Sequence, residues 1–93
     1  MKYTIIRTSQ FKKDYKLAVK RGCNIQELKF VVAQLAEGYV LPDKYHDHSL
    51  KGTYASYREC HIEPDWLLVY KVTEELLMLT LYRTGSHSDI FNR

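Results

Sequence analysis

The hydrophobic period changes once along the chain, and this change limits the fold more than any other feature of the sequence. Between residues 9 and 37 apolar side chains recur every three or four positions, which predicts helices. From Tyr54 onwards the period is two, which predicts strands. Helices followed by a run of strands indicate an α+β fold, in which the helices pack on one face of the sheet.

The first predicted helix follows a short β-prone segment at residues 3–7. Thr8 or Ser9 can cap this helix, which runs to about Arg21 and stops at Gly22. Four residues share its apolar face: Phe11, Tyr15, Ala18 and Val19. Lysines recur on another side at Lys12, Lys16 and Lys20, with Lys13 beside them. One side is therefore expected to pack, and the other to be cationic.

Charge is distributed unevenly along the chain, whose net charge is only +3. Residues 1–21 contain seven basic side chains and a single acidic one, Asp14. A lysine face on a surface helix is often only solvated, but the shortage of counter-charges here favours a polyanionic or acidic partner.

A second helix and three strands complete the predicted order β-α-α-β-β-β. Asn24 and Glu27 resemble a capping box, and the helix that they open ends near Gly38, so the two helices form an antiparallel hairpin. Residues 54–61, 66–72 and 76–83 read as strands of an antiparallel meander. We expect one domain over residues 1–93, with an antiparallel sheet and the helical hairpin on one face.

A polar turn joins the first two strands of the meander. Pro64 cannot donate a ladder hydrogen bond, so the chain turns between His61 and Trp66. The turn is expected to hold His61 close to Asp65. A histidine beside a carboxylate is a common acid–base pairing, although many polar turns of this kind are only solvated.

Other polar residues can reach the same edge of the sheet. His48 lies in the loop before the strands, and Arg83 and His87 follow the last one. Two histidines and a guanidinium suffice to cleave an RNA phosphodiester without a metal. One histidine removes the 2′-OH proton, the other protonates the leaving oxygen, and the guanidinium offsets charge on the phosphate.

Two other chemistries are weaker alternatives. His46, His48, His61, His87 and Asp65 could in principle bind zinc, but their spacing in flexible loops is poor support for a metal site. A thiol nucleophile is disfavoured because Cys60 points to the opposite face of its strand from His61.

The cysteines and the lack of a targeting segment indicate a reducing compartment. Cys23 and Cys60 are far apart and fit no metal-binding spacing, so two free thiols are expected, with one disulfide as the lesser alternative. The sequence has no apolar run near 18 residues, and its first residues are too short and too charged for a signal peptide. We therefore expect a cytoplasmic protein without a membrane partner.

Aromatic side chains offer surfaces on which RNA bases can stack. Trp66 and Phe91 are the candidates, and Phe91 is the better one because it lies near His87 on a terminal segment. That segment should fold back, since its Ile90 and Phe91 need an apolar surface.

Three spaced motifs resemble YafQ-type toxins of the RelE superfamily. The first is Asp47-His48-x-Leu50-x-Gly52, and the second runs from Tyr57-Arg58-Glu59-x-His61 through Pro64-Asp65-Trp66 to Tyr70-Lys71. The third is Arg83-Thr84-Gly85-x-His87-x-x-x-Phe91. The likeness spans the chain, is densest in its carboxy-terminal half, and includes the lysine-rich first helix.

The resemblance implies a bacterial type II toxin with a RelE-like fold. Such a toxin is an endoribonuclease that cleaves mRNA in the A site of the 70S ribosome, without a cofactor. A cognate antitoxin neutralises it, and operator DNA is bound only through the toxin–antitoxin complex. The implied catalytic residues are His48, His61, Asp65, Arg83 and His87. Trp66 and Phe91 would contact RNA. The lysine face of the first helix gives a separate prediction, which is that Lys12, Lys13, Lys16 and Lys20 contact ribosomal RNA.

The assignment of proton steps is a further hypothesis. His87 is favoured as the acid and His48 or Asp65 as the base, with His61 orienting groups or stabilising charge. Two other functions stay open at this point, which are a non-catalytic RNA- or protein-binding module on the same scaffold and a zinc-binding regulatory domain.

Overall fold

A computed structural model describes residues 1–91, so the last two residues of the predicted domain lie outside the described range. The strands and helices are β1 (Thr4–Arg7), α1 (Ser9–Lys20), α2 (Ile25–Ala36), β2 (His48–Ser49), β3 (Arg58–Glu63), β4 (Trp66–Thr73), β5 (Met78–Gly85) and α3 (His87–Phe91). The predicted β-α-α-β-β-β order is confirmed, with β2 and α3 as additions.

Five strands form one sheet in the order β1-β5-β4-β3-β2. Strands β3, β4 and β5 are the predicted antiparallel meander, and β2 joins it antiparallel to β3. The prediction of an antiparallel sheet needs one correction, because β1 pairs with β5 in parallel. The helical hairpin carries the chain from β1, at one edge of the sheet, to β2 at the opposite edge. Strands β3, β4 and β5 then lead back toward β1, each antiparallel to the one before it, and β5 runs in the same direction as β1.

The first strand of the meander begins later than its alternating pattern predicted. Residues Gly52–Tyr54 form a 3₁₀ turn instead, and β3 starts at Arg58. Gly52, with φ +66°, opens this turn, and the Tyr57 amide donates to the Tyr54 carbonyl oxygen at 2.9 Å, so the chain is still turning over residues 54–57. The aromatic residues that gave residues 54–57 a strand-like pattern belong to this loop.

Both helices begin at the predicted caps. The Thr8 hydroxyl accepts a hydrogen bond from the Phe11 amide at 3.0 Å, and the Asn24 side chain accepts one from the Glu27 amide at 3.2 Å. In α1 the predicted packing face is wrong at Val19, which is half-exposed. Asp14 is buried instead, because its carboxylate receives hydrogen bonds from β5.

The main core lies between the helices and one face of the sheet. Its buried residues include Phe11, Ala18, Leu28, Val31, Leu35, Cys60, Leu68, Tyr70, Leu79 and Leu81. A smaller cluster covers the other face, where Leu67 and Val69 pack against Ile90 of α3. The terminal segment thus folds back as predicted. No helix within residues 1–91 is long and apolar enough to cross a membrane.

Candidate active site

A buried carboxylate, Glu59, lies at the centre of a histidine cluster on the sheet face opposite the helical hairpin. The Glu59 side chain is 7% exposed. His61 follows two positions later on β3, so both side chains point to the same face, and Glu59 Oε1 lies 3.4 Å from His61 Nε2. Glu59 is not among the residues predicted for the site, although its alternation with His61 in the strand was a signal that could have revealed it.

His48 reaches the cluster through the two-residue strand β2, where it is paired directly with Glu59. Its Nε2 lies 4.0 Å from Glu59 Oε2, and its Nδ1 lies 2.7 Å from the carbonyl oxygen of His46. A carbonyl can only accept, so Nδ1 carries the proton. In the neutral ring, Nε2 is therefore left as a proton acceptor facing the cleft.

His87 enters from the other side, at the first position of α3. Its Nε2 lies 4.0 Å from Glu59 Oε1, and its Nδ1 lies 2.7 Å from Asp65 Oδ1. The His87 amide donates to the same oxygen at 3.1 Å. Both hydrogen bonds lower the pKa of Asp65, and the one from the His87 side chain is the larger cause. Asp65 is therefore ionised at neutral pH.

The predicted pairing of His61 with Asp65 is wrong. The register between β3 and β4 shifts between His61 and Glu63. In the turn that follows, the Asp65 carboxylate contacts His87 of α3. Asp65 therefore orients His87, and Glu59 takes the place next to His61. The turn does belong to the site, but through a different histidine.

His46, which the resemblance did not include, also adjoins the cluster. Its imidazole stands edge-on to that of His61, with ring centroids 5.6 Å apart. The residue has φ 48° at the end of a 3₁₀ turn, a conformation that directs its carbonyl to His48. This left-handed position could not be read from the sequence pattern.

Arg83 lies outside the cluster. Its guanidinium donates to both carboxylate oxygens of Asp14 on α1, at 2.8 and 3.2 Å. The hydrogen bond to Asp14 is the main reason that the pKa of Arg83 is raised. Within residues 1–91, Arg83 is thus bound to a buried carboxylate, and the predicted contact with a scissile phosphate would require it to leave Asp14.

The two aromatic candidates differ in their surroundings. Trp66 is 5% exposed in the main core, so its indole offers no open face for a base, and the prediction that it stacks on RNA is not compatible with this structure. Phe91 is partly exposed and lines the cleft beside the histidines. Its ring stands edge-on to Tyr54 at 5.8 Å, which makes these two the accessible aromatic pair.

The cleft at the cluster has a volume of about 550 Å³. Its walls combine the cluster with a cation and the aromatic pair: His48, Glu59, His61 and His87 with Lys51, Tyr54 and Phe91. Lys51, which lies in the loop after β2, is not among the residues predicted from the sequence. Such a cleft has proton donors and acceptors, positive charge and a planar surface for a base.

The predicted lysines form an exposed face of α1: Lys12, Lys13, Lys16 and Lys20. No ion pair within residues 1–91 involves them. Because α1 packs on the main-core face, these lysines lie across the sheet from the histidines. They form a separate surface and not part of the cluster.

Thiol chemistry is not available at the cluster. Cys60 is fully buried on the opposite face of β3, and burial is the main reason that its pKa is raised. Both Cys23 and Cys60 are free thiols, as predicted.

A metal ion could be held by Glu59, His61 and His87, whose potential donor atoms all lie within 4.8 Å of one another. This set differs from the histidine-rich loop set considered from the sequence. The Asp65–His87 hydrogen bond has the form of the outer-shell contacts that orient metal-binding histidines. The residues therefore fit a transition metal as well as proton transfer.

Comparison with known proteins connects this geometry with a family. The sequence profile of the family described as "Bacterial toxin of type II toxin-antitoxin system, YafQ" matches residues 3–92. The mRNA interferase toxin YafQ of Escherichia coli strain K12 is 42% identical over 85 residues, which cover 90% of each chain.

Solved structures agree with the sequence match. A metal-bound toxin from Helicobacter pylori has a TM-score of 0.91 at 45% identity, covering 96% of this chain and 99% of that one. A chain of the E. coli DinJ–YafQ complex has a TM-score of 0.88 at 40% identity, with 96% and 98% covered.

The fold and the matched structures define a small toxin with a RelE-like fold. More narrowly, the chain belongs to the YafQ family of bacterial toxins of type II toxin–antitoxin systems.

Proposed function

We propose that this protein is an mRNA interferase, a metal-independent endoribonuclease that a cognate antitoxin neutralises. Its E. coli relative bears the name mRNA interferase toxin YafQ, and the matched complex contains DinJ together with YafQ. The histidine cluster supplies a chemistry that suits this activity. The antitoxin partner follows from the family and the matched complex.

One observation carries the proposal, which is that two imidazoles approach the two oxygens of a single buried carboxylate. His48 Nε2 lies near Glu59 Oε2, and His87 Nε2 lies near Glu59 Oε1, both at 4.0 Å. Each ring is held through its other nitrogen, by the His46 carbonyl or by Asp65. Two oriented rings on one cleft can act on opposite sides of one phosphodiester.

In the proposed reaction His48 is the base and His87 the acid. His48 Nε2 takes the proton of the 2′-OH as this oxygen attacks phosphorus, and a 2′-oxygen–phosphorus bond forms. The bond from phosphorus to the 5′-oxygen breaks, and His87 Nε2 gives its proton to that oxygen. The products are a 2′,3′-cyclic phosphate and a 5′-hydroxyl, with one proton gained by His48 and one lost by His87.

The remaining cluster residues orient and balance charge. The Glu59 side chain is buried whereas those of His48 and His87 are about half exposed, so an incoming phosphate meets the imidazoles before it meets the carboxylate. His61 and Lys51 line the same cleft, and Lys51 supplies positive charge toward the phosphate, a role that was predicted for Arg83 from the sequence. Asp65, held by His87, acts as an orienting group and not as the base.

Binding to the translating ribosome is part of the proposal. Phe91 and Tyr54 can stack on an mRNA base at the cleft, while Lys12, Lys13, Lys16 and Lys20 contact ribosomal RNA on the other surface. Two surfaces of this kind suit cleavage in the A site of the 70S ribosome in the cytoplasm. Operator DNA would be bound only through the antitoxin complex.

Metal independence can be tested separately from cleavage. A transition metal, when bound, would be held by Glu59, His61 and His87 and would supply Lewis-acid polarisation of a phosphate oxygen. The matched H. pylori toxin is metal-bound, so this test is needed. We expect full cleavage after exhaustive chelation, and activity that returns only with added metal would contradict the proposal.

The central experiment is expression of the chain without its antitoxin. It should arrest growth and leave mRNAs cut within codons, whereas a non-catalytic RNA- or protein-binding module would leave no cut ends. His87→Ala should abolish cleavage yet still fold and bind the antitoxin. Glu63→Gln, at the exposed end of β3, is the matched control and should cleave normally. Full activity in His87→Ala would remove the proposed acid.

A further inference from the structure

The helix that carries His87 is short and is held mainly by side chains from elsewhere. Helix α3 has five residues, and such a helix is not stable alone. Ile90 anchors its apolar side, and Asp65 holds its first residue. A third contact comes from α1, 68 positions away in the sequence.

Arg21, which directly follows α1 as its C-cap, makes this contact with Asp89. Its Nη1 lies 2.7 Å from Asp89 Oδ2, and its Nη2 lies 3.5 Å from Asp89 Oδ1. The two nitrogens of the guanidinium therefore face the two oxygens of one carboxylate. This arrangement fixes direction better than a single contact does.

Asp89 also closes the first turn of α3. Its Oδ2 accepts a hydrogen bond from the Ser86 amide at 3.0 Å, and its own amide donates to the Ser86 hydroxyl at 3.1 Å. Gly85 fits closely against it, since a Cβ there would lie 3.0 Å from the Asp89 side chain. The carboxylate that Arg21 holds thus shapes the turn from which His87 projects.

A second pair joins the same two parts of the chain. Asp14, two turns before Arg21 on α1, binds the Arg83 guanidinium and the Thr84 amide. Arg83 in turn donates to the carbonyl oxygen of Asp89 at 3.4 Å. One face of α1 is therefore fitted to residues 83–89.

We propose that Arg21 is a positioning residue for the cleavage reaction, acting through Asp89 to hold His87 Nε2 toward Glu59. This inference depends on the proposed function for its kinetic consequence. The Arg21 side chain is 49% exposed, and ion pairs of this exposure add little to folding stability. Its contribution lies in the placement of His87, since a displacement of about 1 Å can cost about 100-fold in rate.

The kinetic test compares Arg21→Ala with wild type in the full chain, using ribosomes loaded with a defined mRNA. We expect kcat to fall about tenfold with KM within about twofold, because Asp65 and Ile90 still hold α3 loosely. Arg21→Lys should recover part of the loss. Arg7→Ala removes an exposed arginine at the end of β1 and should leave kcat unchanged.

A double-mutant cycle shows whether Arg21 acts through Asp89. Asp89→Ala should lower kcat, and adding Arg21→Ala to it should cause no further loss. Additive losses would overturn the proposal, as would an equal loss in Arg7→Ala or unchanged kcat in Arg21→Ala. If Arg21→Ala does not fold, Arg21→Lys and Arg21→Gln provide the same comparison.

The ¹⁵N spectrum of the His87 imidazole gives a readout that does not depend on catalysis. We expect its Nδ1–H signal, fixed by Asp65 in wild type, to shift or broaden in Arg21→Ala but not in Arg7→Ala. An unchanged signal would overturn the positioning role. If wild type cleaves no RNA, the proposed function fails, and this spectrum still decides whether Arg21 positions His87.

Discussion

The two faces of the sheet are stabilised by different kinds of contact. The face under the helices contacts the main core, where Leu68, Tyr70 and Leu79 are almost completely buried. The opposite face has only a small buried cluster around Leu67 and Val69, next to the Glu59-centred histidines. Apolar packing therefore dominates one face, and directed polar contacts dominate the other.

This difference separates stability from site geometry. Apolar burial is not directional, so it fixes the strands without setting the angle of any imidazole. Hydrogen bonds are directional, and those of His48 and His87 orient both rings. Changes on the site face should thus affect cleavage more than folding, and changes on the helix face should do the reverse.

The largest expected effect is on cleavage, in Glu59→Gln. The amide has the same shape but no charge to balance the proton that His48 gains in the proposed reaction, so kcat should fall about 100- to 1000-fold. Folding stability should stay within about 1 kcal/mol, because the side chain remains buried among polar rings. Single-turnover kinetics and urea unfolding measure the two quantities. A fall in stability without loss of cleavage would reverse the proposed difference between the faces.

The next effect compares neighbours on opposite faces of β4. Leu68→Ala should lower the free energy of unfolding by about 3–5 kcal/mol, because the helices can only partly close the cavity. Leu67→Ala should cost nearer 2–3 kcal/mol, since α3 can move into the space. That movement would displace His87, so Leu67→Ala should lose more cleavage per unit of stability. An equal ratio of lost cleavage to lost stability in Leu67→Ala and Leu68→Ala would contradict the comparison of the two faces.

A smaller effect depends on pH and concerns Asp89. The hydrogen bond from Arg21, and to a smaller extent the one from the Ser86 amide, lowers the pKa of Asp89 from 3.8 to about 2. A carboxylate whose pKa is lowered by folding stabilises the folded state at pH values above its ordinary pKa. This contribution is lost as the pH falls through the lowered pKa of the folded state. The free energy of unfolding of wild type should thus exceed that of Asp89→Asn by about 1 kcal/mol or less above pH ~5, because Arg21 is half-exposed, with the gap closing toward pH ~2. Unfolding at several pH values measures it, and a gap independent of pH would contradict it.

The smallest effect on stability is expected in the α1 lysines. Changing Lys12, Lys16 and Lys20 together to Glu should alter unfolding by about 0.5 kcal/mol or less, because all three are exposed. Ribosome binding should weaken and lose much of its salt dependence, since phosphate contacts release counterions. Unchanged binding over a salt series would identify these lysines as a solvated face.

Several features were predicted correctly because they depend on nearby residues. The caps at Thr8 and Asn24 need only a side chain and an amide three positions later. The meander follows from alternation and short turns. The resemblance named His48, His61 and His87, which the structure brings together around Glu59.

Other features could not be predicted because they depend on distant contacts. Asp14 is buried because it binds Arg83, which is 69 positions away in the sequence. The helical pattern of α1 does not contain this contact, so it placed Val19 on the packed face instead of Asp14. Trp66 lies at a strand start, where only packing of the helices decides that it is covered. The hydrogen bonds of His48 and Asp65 depend on partners that the fold brings opposite them, which are the His46 carbonyl for His48 and the His87 N–H groups for Asp65.

The sequence by itself determined the β-α-α-β-β-β order and the presence of three histidines suited to proton transfer, because hydrophobic period and capping act within a few residues. Only the tertiary structure decided that Glu59 lies at their centre, that Asp65 holds His87, and that Arg83 binds Asp14. Those pairings depend on strand register and on a helix that folds back across the sheet. Such contacts join residues far apart in the chain, and no local pattern encodes which partner a side chain will meet.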